Sequence, residues 1–168
     1  MSTSASGGFT VHQRVGWGPI LAALLLVIAA ETAGVHVLVR HWSAVVAWTL
    51  TILDLYGIVW LVRDYRALRL RPTTIDADAL HIRYGLRWSA DVPLSAIESV
   101  EPIRGEWKRD GVLKIAMFEE PKLLIRLREP VNATAFGVLT RKIDAIAILP
   151  DDSVRFEAAL SEALGSLL

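Results

Sequence analysis

The chain has no cysteine. That removes disulfides, thiolate nucleophiles and thiolate metal sites together, and it fits a soluble part that faces the cytoplasm. No excess of either charge is present, with 18 lysines and arginines against 18 acids. Nucleic-acid binding calls for a basic balance, so nucleic acid is not an expected partner. Missing too are a glycine-rich phosphate loop, a Gly-x-Ser-x-Gly elbow and a His-Glu-x-x-His pair. Without these signatures no enzymatic activity, metal or cofactor is expected. The sharpest shortage is local. Before Arg63 only Arg14, Glu31, Arg40 and Asp54 carry a formal charge, and every other charged residue follows.

That charge-poor stretch contains two apolar runs. Val15 to Val39 is 25 residues long and Trp42 to Val62 is 21. At the rise of a helix they reach ~37 and ~31 Å, enough to cross a hydrocarbon core of ~30 Å. Only Arg40 and His41 separate them, which predicts a tight antiparallel hairpin over residues 14–63, with spans at 15–39 and 42–62. A cleaved signal peptide is disfavoured: Glu31 precedes Ala33 and Ile28 precedes Ala30 at the needed spacing, and a second span follows at once. Arg63, Arg66, Arg69 and Arg71 lie just beyond the second run, against one arginine and one histidine in the turn. The positive-inside bias therefore places both termini in the cytoplasm of a multi-pass inner (plasma) membrane protein. Trp17 and Trp60 fall at the inner interface and Trp42 at the outer one. Residues 1–13, rich in Ser, Thr, Gly and Ala, read as a mobile tail.

From residue 64 to 168 a separate, mostly β domain is expected. Leu80, Ile82 and Tyr84 alternate with His81 and Arg83, and Trp88, Ala90 and Val92 continue the pattern to Pro93. Leu94, Ile97 and Val100 lead into a fourth strand ending near Arg104. Leu113, Ile115 and Met117 form another, as do Leu123, Ile125 and Leu127, and a last strand covers Ile143 to Leu149. With Thr73–Asp76 this makes seven short strands and predicts an antiparallel sandwich or barrel. Asn132-Ala-Thr134 reads as a turn. Pro150-Asp-Asp-Ser153 opens a helix whose Phe156, Ala159, Leu160, Ala163 and Leu164 share one face, expected to close the sheet.

Two segments carry a resemblance. Thr73-Thr-Ile-Asp-Ala-Asp-Ala-Leu-His-Ile-Arg-Tyr-Gly85 and Val92-Pro-Leu-Ser-Ala-Ile97, with the Pro-Asp-Asp start of a Phe-containing helix, resemble bacterial pleckstrin-homology-like (PH-like) domains that follow paired membrane helices. The resemblance covers residues 63–165. It implies a seven-stranded barrel closed by a C-terminal helix, and implies no activity. Lipid-binding members use a basic first hairpin, whereas Asp76-Ala-Asp78 is acidic here.

Candidate contact residues fall into two sets. Glu31 and Asp54 lie inside the spans, where an ionised side chain costs ~2.5 kcal/mol or more. Counted from the turn they sit ~13 and ~20 Å deep. Thr49 and Thr51 stand at the level of Glu31 as possible donors. For Asp54 the nearest are Thr51 and the Leu50 carbonyl of its own helix, which makes a neighbouring subunit or partner helix the natural supplier. His36 reads as a polar residue near the outer end. Gly18/Ala22, Ala29/Ala33 and Ala30/Gly34 are small-x-x-x-small pairs that favour close helix approach. The second set is basic: Lys114, Lys122, Arg126 and Arg128 on strand faces, with Trp107, Lys108 and Arg109 on a loop. It offers contact to an acidic partner or anionic headgroups. The expected function is a non-enzymatic, membrane-anchored interaction or assembly module whose partners are the lipid bilayer and another membrane protein or a second copy. The alternative is a small transport or proton-handling subunit using Glu31 and Asp54.

Overall fold

A computed structural model describes residues 8–9, 17–116 and 119–166. The chain parts into two compact units, Gly16–Arg66 and Met1–Val15 joined with Ala67–Leu168.

In the first unit, α1 (Trp17–Arg40) and most of α2 (Ala44–Leu70) form the helix hairpin. Both are long and apolar enough to cross a membrane, and only 6% of the most apolar window of each is buried within the protein. A core helix of a soluble fold is mostly buried; these expose their leucines and valines all round. The turn is closed by backbone bonds from Trp42 and Ser43 to the Val39 carbonyl, each 2.9 Å. Ser43 caps α2 through its Oγ, which accepts from the Val46 N–H at 3.4 Å. Leu21 and Ala47 are the buried apolar residues between the helices. A Cβ on Gly18 would lie 3.2 Å from the Tyr65 hydroxyl, so the first small pair serves the hairpin itself.

The second unit holds one seven-stranded sheet and one helix. The strands are β1 (Thr74–Ile75), β2 (Ala79–Tyr84), β3 (Trp88–Pro93), β4 (Ile97–Pro102), β5 (Val112–Ile115), β6 (Leu123–Ala135) and β7 (Leu139–Ile148). A 3₁₀ turn at Leu94–Ala96 precedes β4, and α3 (Ser153–Gly165) ends the order. Hydrogen-bonded neighbours run β1-β2-β3-β6-β7-β5, with β4 on β6. The expected closed barrel is not formed. β1, β4 and β5 each pair with a single strand, so the sheet is open. Nor is the sheet wholly antiparallel: β5 joins β7 in parallel, Val112 opposite Ala145 and Ile115 opposite Ile148.

The largest revision concerns β6 and β7. Asn132 and Thr134 are not in a turn but in the outer half of β6, facing Lys142 and Thr140 of β7. Thirteen residues long, β6 pairs β4 with its first half and β3 with its second. The register slips between Arg126 and Val131, where Pro130 has no N–H to give to a ladder. Reversal comes at Phe136 and Gly137, both at positive φ (51° and 72°), with the Val138 N–H donating to the Ala135 carbonyl at 3.0 Å.

One sheet face is covered by α3. Asp152 caps that helix by accepting from the Arg155 N–H at 3.0 Å, and Phe156 and Leu160 are fully buried. Ile82, Ile115, Ile125, Ile146 and Ile148 are also buried in this domain. Phe9 belongs here too, which corrects the expectation of a wholly mobile tail. It is buried, bonds Thr73 through both backbone groups at 2.7 and 3.0 Å, and meets the Phe156 ring edge-on at 5.1 Å. Residues 1–7 and 10–13, Met117 and the side chain of Trp17 lie outside the described residues.

Candidate functional site

The polar residues of the hairpin gather around the middle of the two helices. Thr32 Oγ1 of α1 donates to Asp54 Oδ2 of α2 at 2.8 Å. Asp54 therefore finds a donor on the facing helix of its own chain and not in Thr51. Thr51 is engaged elsewhere. Its hydroxyl donates to the Ala47 carbonyl at 2.9 Å and lies 2.7 Å from His36 Nδ1. The His36 ring stands edge-on to Trp48 at 5.0 Å. His36 is thus half-buried in the hairpin, fixed by Thr51 and Trp48.

Thr49 donates back to the Val45 carbonyl at 2.8 Å. Neither threonine expected to serve Glu31 does so. Glu31 is exposed and makes no hydrogen bond or ion pair among the described residues. It lines, with Thr32, Asp54 and Gly57, an open groove of about 390 Å³ otherwise walled by Ile28, Val35, Leu50 and Leu53. A Cβ added at Gly34 or Gly57 would meet nothing within 4 Å, so these glycines face open space and not the companion helix. His36, Trp48 and Thr51 border a different groove, with Ala29 and Ala33.

In the β unit the basic set is not one patch. Trp107 is half-buried: with Ile103 it packs on Val112, Leu124, Ala145 and Ala147. Lys108 and Lys114 lie over its ring at 5.6 and 5.9 Å. Lys108 also reaches Glu120 at 3.2 Å, Arg109 lies 3.5 Å from Asp144, and Arg126 is paired with Glu101, whose hydrogen bond and charge push its guanidinium further up. Arg128 donates to the Ile97 carbonyl at 3.3 Å. Lys122 is exposed on its strand. Most of these cations are therefore matched by a nearby acid or committed to the protein's own surface. Exposed pairs of this kind add little stability, but they cancel the local field that would draw an anion.

A cluster that sequence reading passed over sits on β1–β3. His81 places Nδ1 2.5 Å from Asp91 and Nε2 3.2 Å from Asp76, while Arg83 reaches the same Asp91 oxygen at 2.7 Å. Partial burial pushes the Asp91 carboxyl up, but the hydrogen bonds from His81 and Arg83 outweigh it and hold it below its ordinary value. The available signal was the alternation itself, which puts His81, Arg83 and Asp91 on one face. Among the described residues no group of His, Asp and Glu could hold a metal ion. Compared with known protein families, with characterised proteins and with solved structures, the chain matches none.

Proposed function

We propose that this chain is a non-enzymatic, membrane-anchored interaction module whose helix hairpin spans the plasma membrane and binds a partner helix through the groove that holds Glu31. The exposed, unpaired Glu31 is the observation that carries the reading. A carboxyl in the middle of an apolar helix is costly, and Asp54 is already served by Thr32. Glu31 has no such donor among the described residues, and no lysine or arginine of either helix stands at its depth. The open space at Gly57 beside it leaves room for a close backbone.

Two features support a topology with both termini in the cytoplasm. Arg63, Arg66, Arg69 and Arg71 bias the end of α2 to the cytoplasm. The Phe9–Thr73 bridge joins the segments before α1 and after α2 within one unit, as two spans returning to the same side require. The PH-like reading of the β unit remains part of the proposal, supported by the seven strands and the covering α3. The rival proton-handling role needs a wet path, and apolar Ile28, Val35, Leu50 and Leu53 wall this groove instead.

The test is cross-linking and co-purification from native membranes. Glu31→Leu is expected to insert normally and to weaken association by ~0.6–2 kcal/mol, the range for one interhelical hydrogen bond in a bilayer, while Glu31→Gln keeps it. Full association of Glu31→Leu would sink the proposal.

A further inference from the structure

The tip of the β6–β7 hairpin carries three exposed apolar side chains: Phe136 at 57%, Val138 at 81% and Leu139 at 66% exposure. The turn does not call for them. Two consecutive residues at positive φ make a type I′ reversal, which Asn-Gly or Gly-Gly fills without strain, and an aromatic residue at φ 51° is a poor choice for it. A patch that is neither buried nor explained by local geometry marks an interaction surface.

Its surroundings identify the kind of surface. Arg141 and Lys142 follow Leu139 on β7, are exposed, and have no ion-pair partner among the described residues. As neighbours on a strand they point to opposite faces, so one cation stands on each side of the ribbon. At the rise of a strand Arg141 lies ~10 Å behind Val138, comparable to the ~5–10 Å that interfacial segments bury. Arg87 is adjacent, because its carbonyl accepts from the Phe136 N–H at 3.0 Å. No acid occurs from Pro130 to Ile143; Glu129 and Asp144 bracket the stretch. We propose that this tip is a membrane-docking element that inserts Phe136, Val138 and Leu139 into an anionic bilayer surface while Arg141 and Lys142 hold the headgroups. The inference rests on the reading that the helices span a bilayer, which tethers the β unit to a membrane and raises the local concentration of such a surface.

The lack of cysteine makes the test clean. The full chain carrying Val138→Cys, labelled with an environment-sensitive dye, is reconstituted into vesicles of phosphatidylcholine alone or mixed with phosphatidylglycerol. In anionic vesicles the emission is expected to shift to the blue and to be quenched by nitroxide lipids. High salt or Arg141→Glu with Lys142→Glu should reverse most of the effect, and a label at Glu129→Cys should stay aqueous. A water-like label at position 138 in both vesicle types overturns the proposal. So does shielding that rises with the protein-to-lipid ratio, which identifies a second copy as the occupant. Alkaline extraction reads the spans separately: an extractable chain with a shielded label would remove the spans and keep the docking.

Discussion

Removing the ring of Phe9 by Phe9→Ala tests whether the segment before α1 is an integral part of the β unit. The substitution leaves the backbone bridge to Thr73 possible and deletes the edge-on contact with Phe156 and the position 5.7 Å from the Arg155 guanidinium. Phe9 is only 5% exposed. Phe→Ala at buried sites costs ~3–5 kcal/mol, and the lower figure suits a peripheral segment that is able to collapse inward. For a domain of about a hundred residues each kcal/mol shifts Tm by ~4–8 °C, so ~3 kcal/mol lowers it by ~12–24 °C. The assay is thermal unfolding of the full chain in mild detergent, followed in the β-sheet region of the circular dichroism spectrum. Phe156→Ala should cost as much or more, because that side chain is fully buried. The double variant should fall short of additivity by ~0.5–1.5 kcal/mol, the worth of an aromatic pair beyond its area. A Tm within ~2 °C of wild type for Phe9→Ala, less than the shift one kcal/mol gives, would refute the packing and with it the structural link between the segments before α1 and after α2.

Two further outcomes follow from the β unit. Gly111→Ala should destabilise by ~2 kcal/mol or more, because Gly111 has φ +87° and an added Cβ would lie 2.8 Å from Asp144 Oδ1; Asp144→Ala in the same chain should recover the crowding part only, and a neutral Gly111→Ala measured by thermal unfolding would contradict the geometry. Because the folded-state value of Asp91 is lowered, its contribution is present above the ordinary value near 3.8 and is lost as pH falls through the folded value. The Tm gap between wild type and Asp91→Asn should therefore be steady at neutral pH and close on acidification below that point, and a gap that widens there would show the wrong sign.

The elements that were legible in the sequence are those fixed by local pattern. Charge-poor apolar length gives the two helices, and strict alternation gives β2 and β3. The β6–β7 hairpin escaped because polar Asn132 and Thr134 look like a reversal, while the real one at Phe136-Gly137 has an aromatic residue where turn chemistry favours Asn or Asp. The parallel pairing of β5 with β7 is a long-range choice that period-two alternation does not encode. Ala145 and Ala147 alternate with Ile146 and Ile148, which reads as a weak outer face; in fact their small size lets Trp107 and Ile103 lie close on it. In the hairpin, counting residues from the turn set the two helices against each other about one helical turn out of step. It placed Thr49 and Thr51 level with Glu31, whereas Asp54 stands there, meeting Thr32 beside Glu31. Thr49 bonds back to its own helix, Thr51 turns to His36, and Thr32 meets Asp54.

The two carboxylates of the hairpin thus separate by what each already has. Asp54 is bonded across the hairpin, so its loss acts first on how α1 and α2 hold together. Glu31 borders the same groove and bonds nothing among the described residues. The same division applies to the cations of the β unit. Lys108, Arg109 and Arg126 each face an acid, and a count of positive residues around Trp107 overstates the field there. Arg141 and Lys142, in an acid-free stretch beside exposed Phe136, Val138 and Leu139, keep theirs. A net charge of zero conceals this arrangement, because neutrality is reached by pairing in one region and by distance in the other.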